Sequence, residues 1–322
     1  MGKAIVCPDG FKGTFSAREV ASAIAAGSRE GGFEAAELPL ADGGEGTLDA
    51  LLARGGKRRT ATVAGPLGDP VEADYGLLDD GRVGVVETAQ ASGLTLVPEE
   101  RRDAWAASTR GTGELIAAVA ADGAERVLVS VGGSATTDGG AGALAALVGI
   151  AVPPLTVLCD VATPYEDAAL VFGPQKGADP ALVRRLTERL DDLASTLPRD
   201  PRSVPMTGCA GGLSGALWAA HGAELVSGAD YVLDLLGFDL LLRDADLVIT
   251  GEGRLDEQSA TGKVVGVVAA RCLAAEVPCV AIVGQSALDE SAAAAMGLAT
   301  VVEASSAAEQ HEAGRALAKP CR

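Results

Sequence analysis

Residues 246–283 read DLVITGEGRLDEQSATGKVVGVVAARCLAAEVPCVAIV. An apolar run at 246–250 is followed by a Gly-rich polar loop at 251–263, a helical stretch at 264–274 and a second apolar run at 279–283. That sequence of strand, loop, helix and strand is a βα unit continued into its next strand. The rhythm goes on with a strand at 300–303 between two helical segments, and it matches the beginning of the chain. There, residues 5–7 form a strand that ends at Pro8-Asp9-Gly10. Ser16 is placed to cap a helix whose Val20, Ala23, Ile24 and Gly27 recur at helical spacing. A second strand is expected at 37–40, then the loop ADGGEGT and a helix through Leu48, Leu51 and Leu52. Alternating βα units at both ends predict a parallel sheet with helices on both faces.

Between the ends the texture changes. From Arg59 the chain reads TATVAGPLGDPVEADYGLLDDGRVGVVET, which alternates apolar and polar residues between Gly-Pro, Gly-Asp and Asp-Gly turns, the pattern of a hairpin or meander. Helices follow at 112–121, 180–193 and 213–220, with a buried strand at 127–131. The long uncharged run at 139–159 is broken by Gly149 and Pro153-Pro154, so it reads as helix, turn and strand and not as a membrane span. The expected fold is α/β with two domains. Residues 1–59 and 244–322 form a Rossmann-like parallel-sheet domain, and residues 60–243 form an inserted second α/β domain with some antiparallel strands.

Composition agrees with this. The chain has 322 residues, 48% hydrophobic but only 3% aromatic, so its core is built from Ala, Val, Leu and Ile. Lys plus Arg is 26 against 44 Asp plus Glu, a formal charge of −18. Such a field repels nucleic acid and anionic membrane surfaces, so neither is expected as a partner. The sequence has two histidines and six cysteines with no CxxC and no HExxH, which argues against zinc and against a disulfide framework. Free thiols and a short N-terminal apolar run that ends at Pro8 point to the cytoplasm. The sequence sets no oligomeric state.

Two nucleotide signatures fail. Gly262-Lys263 is followed by Val264, with Glu257 where a P-loop needs Gly, and neither Gly111-Thr112-Gly113 nor Gly251-Glu252-Gly253 completes GxGxxG. What remains is a set of Gly-rich acidic loops after strands: residues 9–13, 42–47, 132–140 and 250–256, with Phe172-Gly173-Pro174-Gln175-Lys176-Gly177 beside them. Loops of this kind at the carboxyl ends of parallel strands favour bound anions. Together they supply Lys and Arg for phosphate oxygens, carboxylates for Mg²⁺ or for a base, and exposed N–H groups. Phosphoryl transfer needs those parts, because its catalysis is positioning and charge neutralisation.

The strings CPDGFKGTFSA, LPLADGGEGT, TRGTGELI, GGSATTDGGAGAL, LCDV, VFGPQKGA, AGGLSGAL and VITGEGRLDEQSATGK, in this order, resemble the type 1 glycerate kinase family of bacterial ATP-dependent kinases. The resemblance runs from about residue 4 to about residue 284. It implies two α/β domains with the active site between them, ATP and Mg²⁺, and D-glycerate as acceptor with 2-phosphoglycerate as the usual product. Some positions depart from the pattern. Gly10 and Thr137 stand where Ser and Asn are usual, each a lost hydrogen bond worth about 0.5–1.5 kcal/mol. Several dozen residues are missing between Leu147 and Val157, and the stretch between Val161 and Phe172 is short, so this chain is a shortened member.

Carried onto this sequence, the resemblance gives Asp42, Asp256 and Lys12 catalytic roles. Asp42 and Asp256 compete as the base that takes the hydroxyl proton. Gly43, Gly44, Glu45, Gly133, Ser134, Thr136, Asp138, Lys176, Glu252, Arg254 and Lys263 are expected to bind phosphate or substrate, and Asp42 and Asp160 to hold the metal. His221, at the end of a helical stretch, reads as a C-terminal cap. Two alternatives stay open: a kinase of another small hydroxy acid, and an inactive relative that only binds a metabolite or nucleotide.

Overall fold

The computed structural model describes residues 1–11, 13–260 and 262–317. In chain order its strands are β1 (Gly2–Val6), β2 (Phe33–Glu37), β3 (Lys57–Ala64), β4 (Pro70–Leu78), β5 (Val83–Glu87), β6 (Arg126–Ser130), β7 (Leu155–Cys159), β8 (Glu224–Ser227), β9 (Leu247–Thr250), β10 (Arg254–Leu255), β11 (Cys279–Val283), β12 (Gln285–Ser286) and β13 (Thr300–Glu303). The chain divides into two units, Met1–Asp42 with Ala229–Arg322, and Gly43–Gly228. The sequence places the joins later, at 59/60 and 243/244. The helix Thr47–Leu52 goes with the second unit, where it packs on β4 and β5.

The first unit carries a five-stranded sheet in the order β13-β11-β9-β1-β2, and every pairing in it is parallel. Its inner strands β9 and β11 are apolar at nearly every position and buried throughout, as strands covered on both faces must be, whereas the edge strands β2 and β13 carry exposed Glu and Thr. Alternate residues Ala4, Val6, Leu247, Ile249, Val280 and Ile282 share one core with Val20 and Ile24 of the helix Ala17–Glu30 and with Ala313 of the helix Ala307–Leu317. The first of these helices starts where Ser16 and Glu19 cap each other reciprocally, a capping box. The two helices touch through glycine: a Cβ on Gly27 would lie 1.8 Å from the His311 carbonyl oxygen. Strand order reverses between β1 and β9, and in doubly wound sheets the ligand crevice opens at the carboxyl ends of that pair.

The second strand lies earlier than the sequence suggests, at Phe33–Glu37 instead of 37–40. Residues 38–40 run on past the ladder, with Leu38 N–H donating to the Val6 carbonyl and Leu40 N–H to the Pro8 carbonyl.

The second unit is built on a six-stranded sheet in the order β3-β4-β5-β6-β7-β8. The predicted meander is its antiparallel part, β3-β4-β5, and β5 to β8 are parallel. Opposed polar pairs hold the exposed hairpin, with Arg58 and Thr60 on Asp74 and Thr62 on Glu72. The core combines Val127 and Val129 of β6 and Val157 of β7 with Leu115 and Ile116 of the helix Arg110–Ala121 and Leu213 of the helix Cys209–His221. Among the described residues no helix is long and apolar enough to cross a membrane. The described cysteines, Cys7, Cys159, Cys209, Cys272 and Cys279, are free and buried.

Candidate active site

In the first unit a cavity of about 440 Å³ opens where β1, β9, β11 and β13 end. Asp9 and Gly10 enter it after β1, Glu252, Gly253, Arg254, Asp256 and Lys263 after β9, Gly284 and Gln285 after β11, and Ser305 after β13. The loop after β9 is pinned by the short parallel pair β10 and β12. Gly284 N–H donates to the Glu252 carbonyl and Gln285 N–H to the Gly253 carbonyl, both at 3.1 Å. Asp42, Glu252, Arg254, Asp256 and Lys263 therefore line one cavity. The Lys263 ammonium lies 3.9 Å from both Glu252 Oε2 and Asp256 Oδ1, and Arg254 Nε lies 3.6 Å from Asp256 Oδ2. Burial raises the Glu252 carboxyl above the usual range, and the charges of Asp256 and Asp42 add to this. The Ser259 hydrogen bond and Lys263 oppose it. Glu252 Oε1 is buried with no hydrogen-bond partner. Lys12 lies outside the described residues.

The second unit gathers the remaining expected residues on the loop after β6. Lys176 is 3% exposed, and its Nζ donates to Thr136 O at 2.5 Å and to Ser134 Oγ at 3.2 Å. Burial pulls this ammonium down to about 8, against the attraction of Asp138 and Asp160. Asp138 holds the loop to the start of the helix Arg110–Ala121. Its Oδ2 accepts from Thr109 N, Thr109 Oγ1, Ser108 Oγ and Gly142 N, and its Oδ1 accepts from Gly140 N. Thr136 Oγ1 donates to the Ala210 carbonyl and Gly139 N–H to the Gly211 carbonyl, so residues 210–211 brace the same loop. Gly133 is the exposed residue of this loop, at φ +73°. A Cβ on Gly132 would come within 3.0 Å of Asp160 Oδ2 and 2.5 Å of Gly44 Cα.

Gly43 shows why this position is glycine. Its φ is +95°, and a Cβ there would sit 2.6 Å from the Leu158 carbonyl oxygen. Glu45, two residues on, is exposed. Behind the loop lies a group that sequence reasoning missed. Glu87, the last residue of β5, is 1% exposed. Its Oε1 accepts from Gly46 N at 3.2 Å and its Oε2 from Leu48 N at 3.0 Å. Burial pushes Glu87 up to about 7; the two backbone donors oppose that shift, and the charges of Glu45 and Asp49 add to it. A Glu closing the apolar run VGVVE was the signal available.

Among the described residues no three His, Cys, Asp or Glu side chains are placed to hold a metal ion between them. Mg²⁺ does not require such a cage, since it usually takes one or two carboxylates together with phosphate oxygens and water. The carboxylates of Asp42, Glu252 and Asp256, in one cavity with Lys263 and Arg254, are a donor set suited to a cation that arrives with phosphates.

A family model described as the glycerate kinase family matches residues 4–153 and 149–320. A glycerate kinase of Halalkalibacterium halodurans is 40% identical, over 88% of this chain and 86% of that protein. A glycerate 2-kinase of Escherichia coli is 41% identical, over 81% of this chain and 80% of its own length. A crystal structure attributed to glycerate kinase 2 of Salmonella typhimurium LT2 superposes with a TM-score of 0.83 at 36% identity, covering 98% of this chain and 97% of that one. With the model matching nearly its whole length, the chain is a kinase and belongs to the glycerate kinase family.

Proposed function

We propose that this protein transfers the γ-phosphoryl group of ATP to D-glycerate, forming 2-phosphoglycerate with the help of Mg²⁺. The observation that carries the proposal is the cavity at the switch between β1 and β9. It combines four carboxylates, those of Asp9, Asp42, Glu252 and Asp256, with Lys263 and Arg254 in a chain that belongs to this family. Asp42, with Glu252 or Asp256, would hold the ion against the phosphates. Bound there, Mg²⁺ supplies positive charge to the transferring phosphoryl group. Lys263 and Arg254 add fixed cations within the same cavity. Asp42 or Asp256 takes the proton of the attacking hydroxyl, the step that makes it a nucleophile.

In the second unit the loop after β6 has a different division of labour from the one its composition suggests. Lys176 and Asp138 build the loop, and the exposed Gly133 presents backbone to a ligand. Phosphate or carboxylate recognition by this loop then rests on main-chain N–H groups. The test is ADP release by the purified protein with Mg-ATP, with and without D-glycerate, repeated with excess EDTA. Glycerate-dependent release that EDTA abolishes supports the proposal. ADP release that D-glycerate leaves unchanged overturns it.

A further inference from the structure

We infer that Glu87 is a positioning residue for the reaction: it fixes the Gly-rich turn at residues 43–46, which follows directly on Asp42. The inference rests on the proposed kinase reading, in which Asp42 is a base or a metal ligand. The turn leads into a six-residue helix, Thr47–Leu52, whose N-cap is Gly46 in the left-handed region at φ +93°. Glycine brings no side chain to satisfy the first N–H groups of the helix. A carboxylate from the end of a distant strand takes that place. Glu87 reaches both Gly46 N and Leu48 N, one oxygen to each, from 41 and 39 residues away in sequence.

The arrangement uses both oxygens, and this gives it a chemical signature. An ionised carboxylate accepts two backbone N–H groups strongly; protonation turns one oxygen into an O–H donor and a weak acceptor, so the hold on one of them weakens. The charged groups facing Glu87 are Glu45 and Asp49, both anionic and both on the segment it holds. On the neighbouring strands its partner is Ser130 of β6, and on β4 Tyr75 stands opposite the preceding Val86, so among the described residues no cation offsets the burial. The turn is therefore held firmly only when Glu87 carries its charge, and it loosens as the pH falls through about 7.

The turn also has little freedom elsewhere. Gly43 lies against the Leu158 carbonyl, and its own carbonyl accepts from Gly132 N–H at 3.0 Å. The segment following Asp42 is thus tied at its far end on Gly46 by Glu87 and at its near end against β7. A displacement of about 1 Å in a catalytic group is enough to cost roughly 10²-fold in rate.

The experiment pairs hydrogen exchange with kinetics in the intact protein. In Glu87→Gln the amide offers one acceptor and turns its NH₂ toward the other backbone N–H. Exchange in a peptide covering residues 43–52 should be at least about tenfold faster than in the wild type at pH 8. kcat should fall at least about tenfold with KM for D-glycerate changed less, and the acid limb near pH 7 in the wild-type kcat profile should be gone. Should the variant fail to fold, the wild type alone decides. Its exchange over 43–52, corrected for intrinsic rates, should be faster at pH 6 than at pH 8. Unchanged exchange over 43–52 in the variant, or wild-type protection equal at the two pH values, overturns the inference, as does a folded variant with the wild-type kcat and pH profile. A wild-type protein with no glycerate-dependent turnover would overturn the kinase proposal and the reaction role given to Glu87. The exchange result would then report only whether Glu87 holds the turn.

Discussion

Lys176→Met tests the electrostatics of the second unit through a change in stability with pH. The ammonium is buried, and burial brings it from an ordinary value of 10.5 to about 8 in the folded protein. Between those two values the unfolded chain binds a proton that the folded one has released. The Lys176 contribution to stability is therefore present above about 10.5 and lost as the pH falls through about 8. A shift of about 2.5 units corresponds to about 3 kcal/mol at 1.36 kcal/mol per unit. Methionine fills a similar volume without the charge, so in the variant this component is absent, while the loss of donors to Thr136 O and Ser134 Oγ applies at every pH. Urea unfolding of both proteins at pH 7.5 and at pH 10.5 isolates the effect. The wild type minus variant difference should rise by about 3 kcal/mol across the window. Other groups that titrate in this range are common to both proteins and cancel. A difference that stays flat or falls would show that the ammonium is not held in a desolvated site, and the account of the loop after β6 would fail with it.

Further consequences can be checked separately. Gly27→Val places a side chain where the His311 carbonyl oxygen already lies at 1.8 Å from a Cβ, so the two packed helices must separate, and urea unfolding should show a loss of about 3 kcal/mol or more. Asp138→Asn turns an NH₂ toward donors such as Thr109 N or Gly140 N, at an expected cost of about 3 kcal/mol in the same assay, whereas a variant as stable as the wild type would mean that the carboxylate does not hold the loop. Asp42→Asn and Asp256→Asn separate the two base candidates. Steady-state kinetics should show kcat at saturating Mg-ATP lower by about 10²- to 10⁴-fold in the variant that removes the base, and wild-type kcat in both would exclude them.

Much of the first unit was legible because its signals are local. The helix Val264–Ala274 and the strands Cys279–Val283 and Thr300–Glu303 fall on the expected residues, each being a continuous apolar run between Gly-rich or Pro-containing breaks. β2 was displaced because FEAAE, with Glu34 and Glu37 three apart, shows neither strand alternation nor an apolar run, and the neighbouring ELPL looks more like a buried strand. Pairing with β1 decided the matter: Val6 stands beside Glu37 and leaves Leu38 past the end of the ladder.

The site residues were legible by type and less so by task. Lys176 has no acidic neighbour in sequence and so looked available for phosphate. Folding surrounds it with Ser134, Thr136 and Asp138 from some forty residues away and buries it. Asp138 looked equally available, yet five donors converge on its carboxylate. Glu87 was invisible because its task depends on backbone N–H groups some forty residues earlier. Charged residues in Gly-rich loops are readable by type, but long-range hydrogen bonding decides which of them are tied into the fold.

The central claim is tested most directly by the product itself. After incubation with Mg-ATP and D-glycerate, proton–phosphorus correlation NMR identifies which hydroxyl carries the new phosphate. The account predicts a correlation from phosphorus to the C2 proton of glycerate. A correlation to the C3 protons would contradict the assigned product, and no organic phosphate beyond ATP and ADP would contradict glycerate kinase activity altogether.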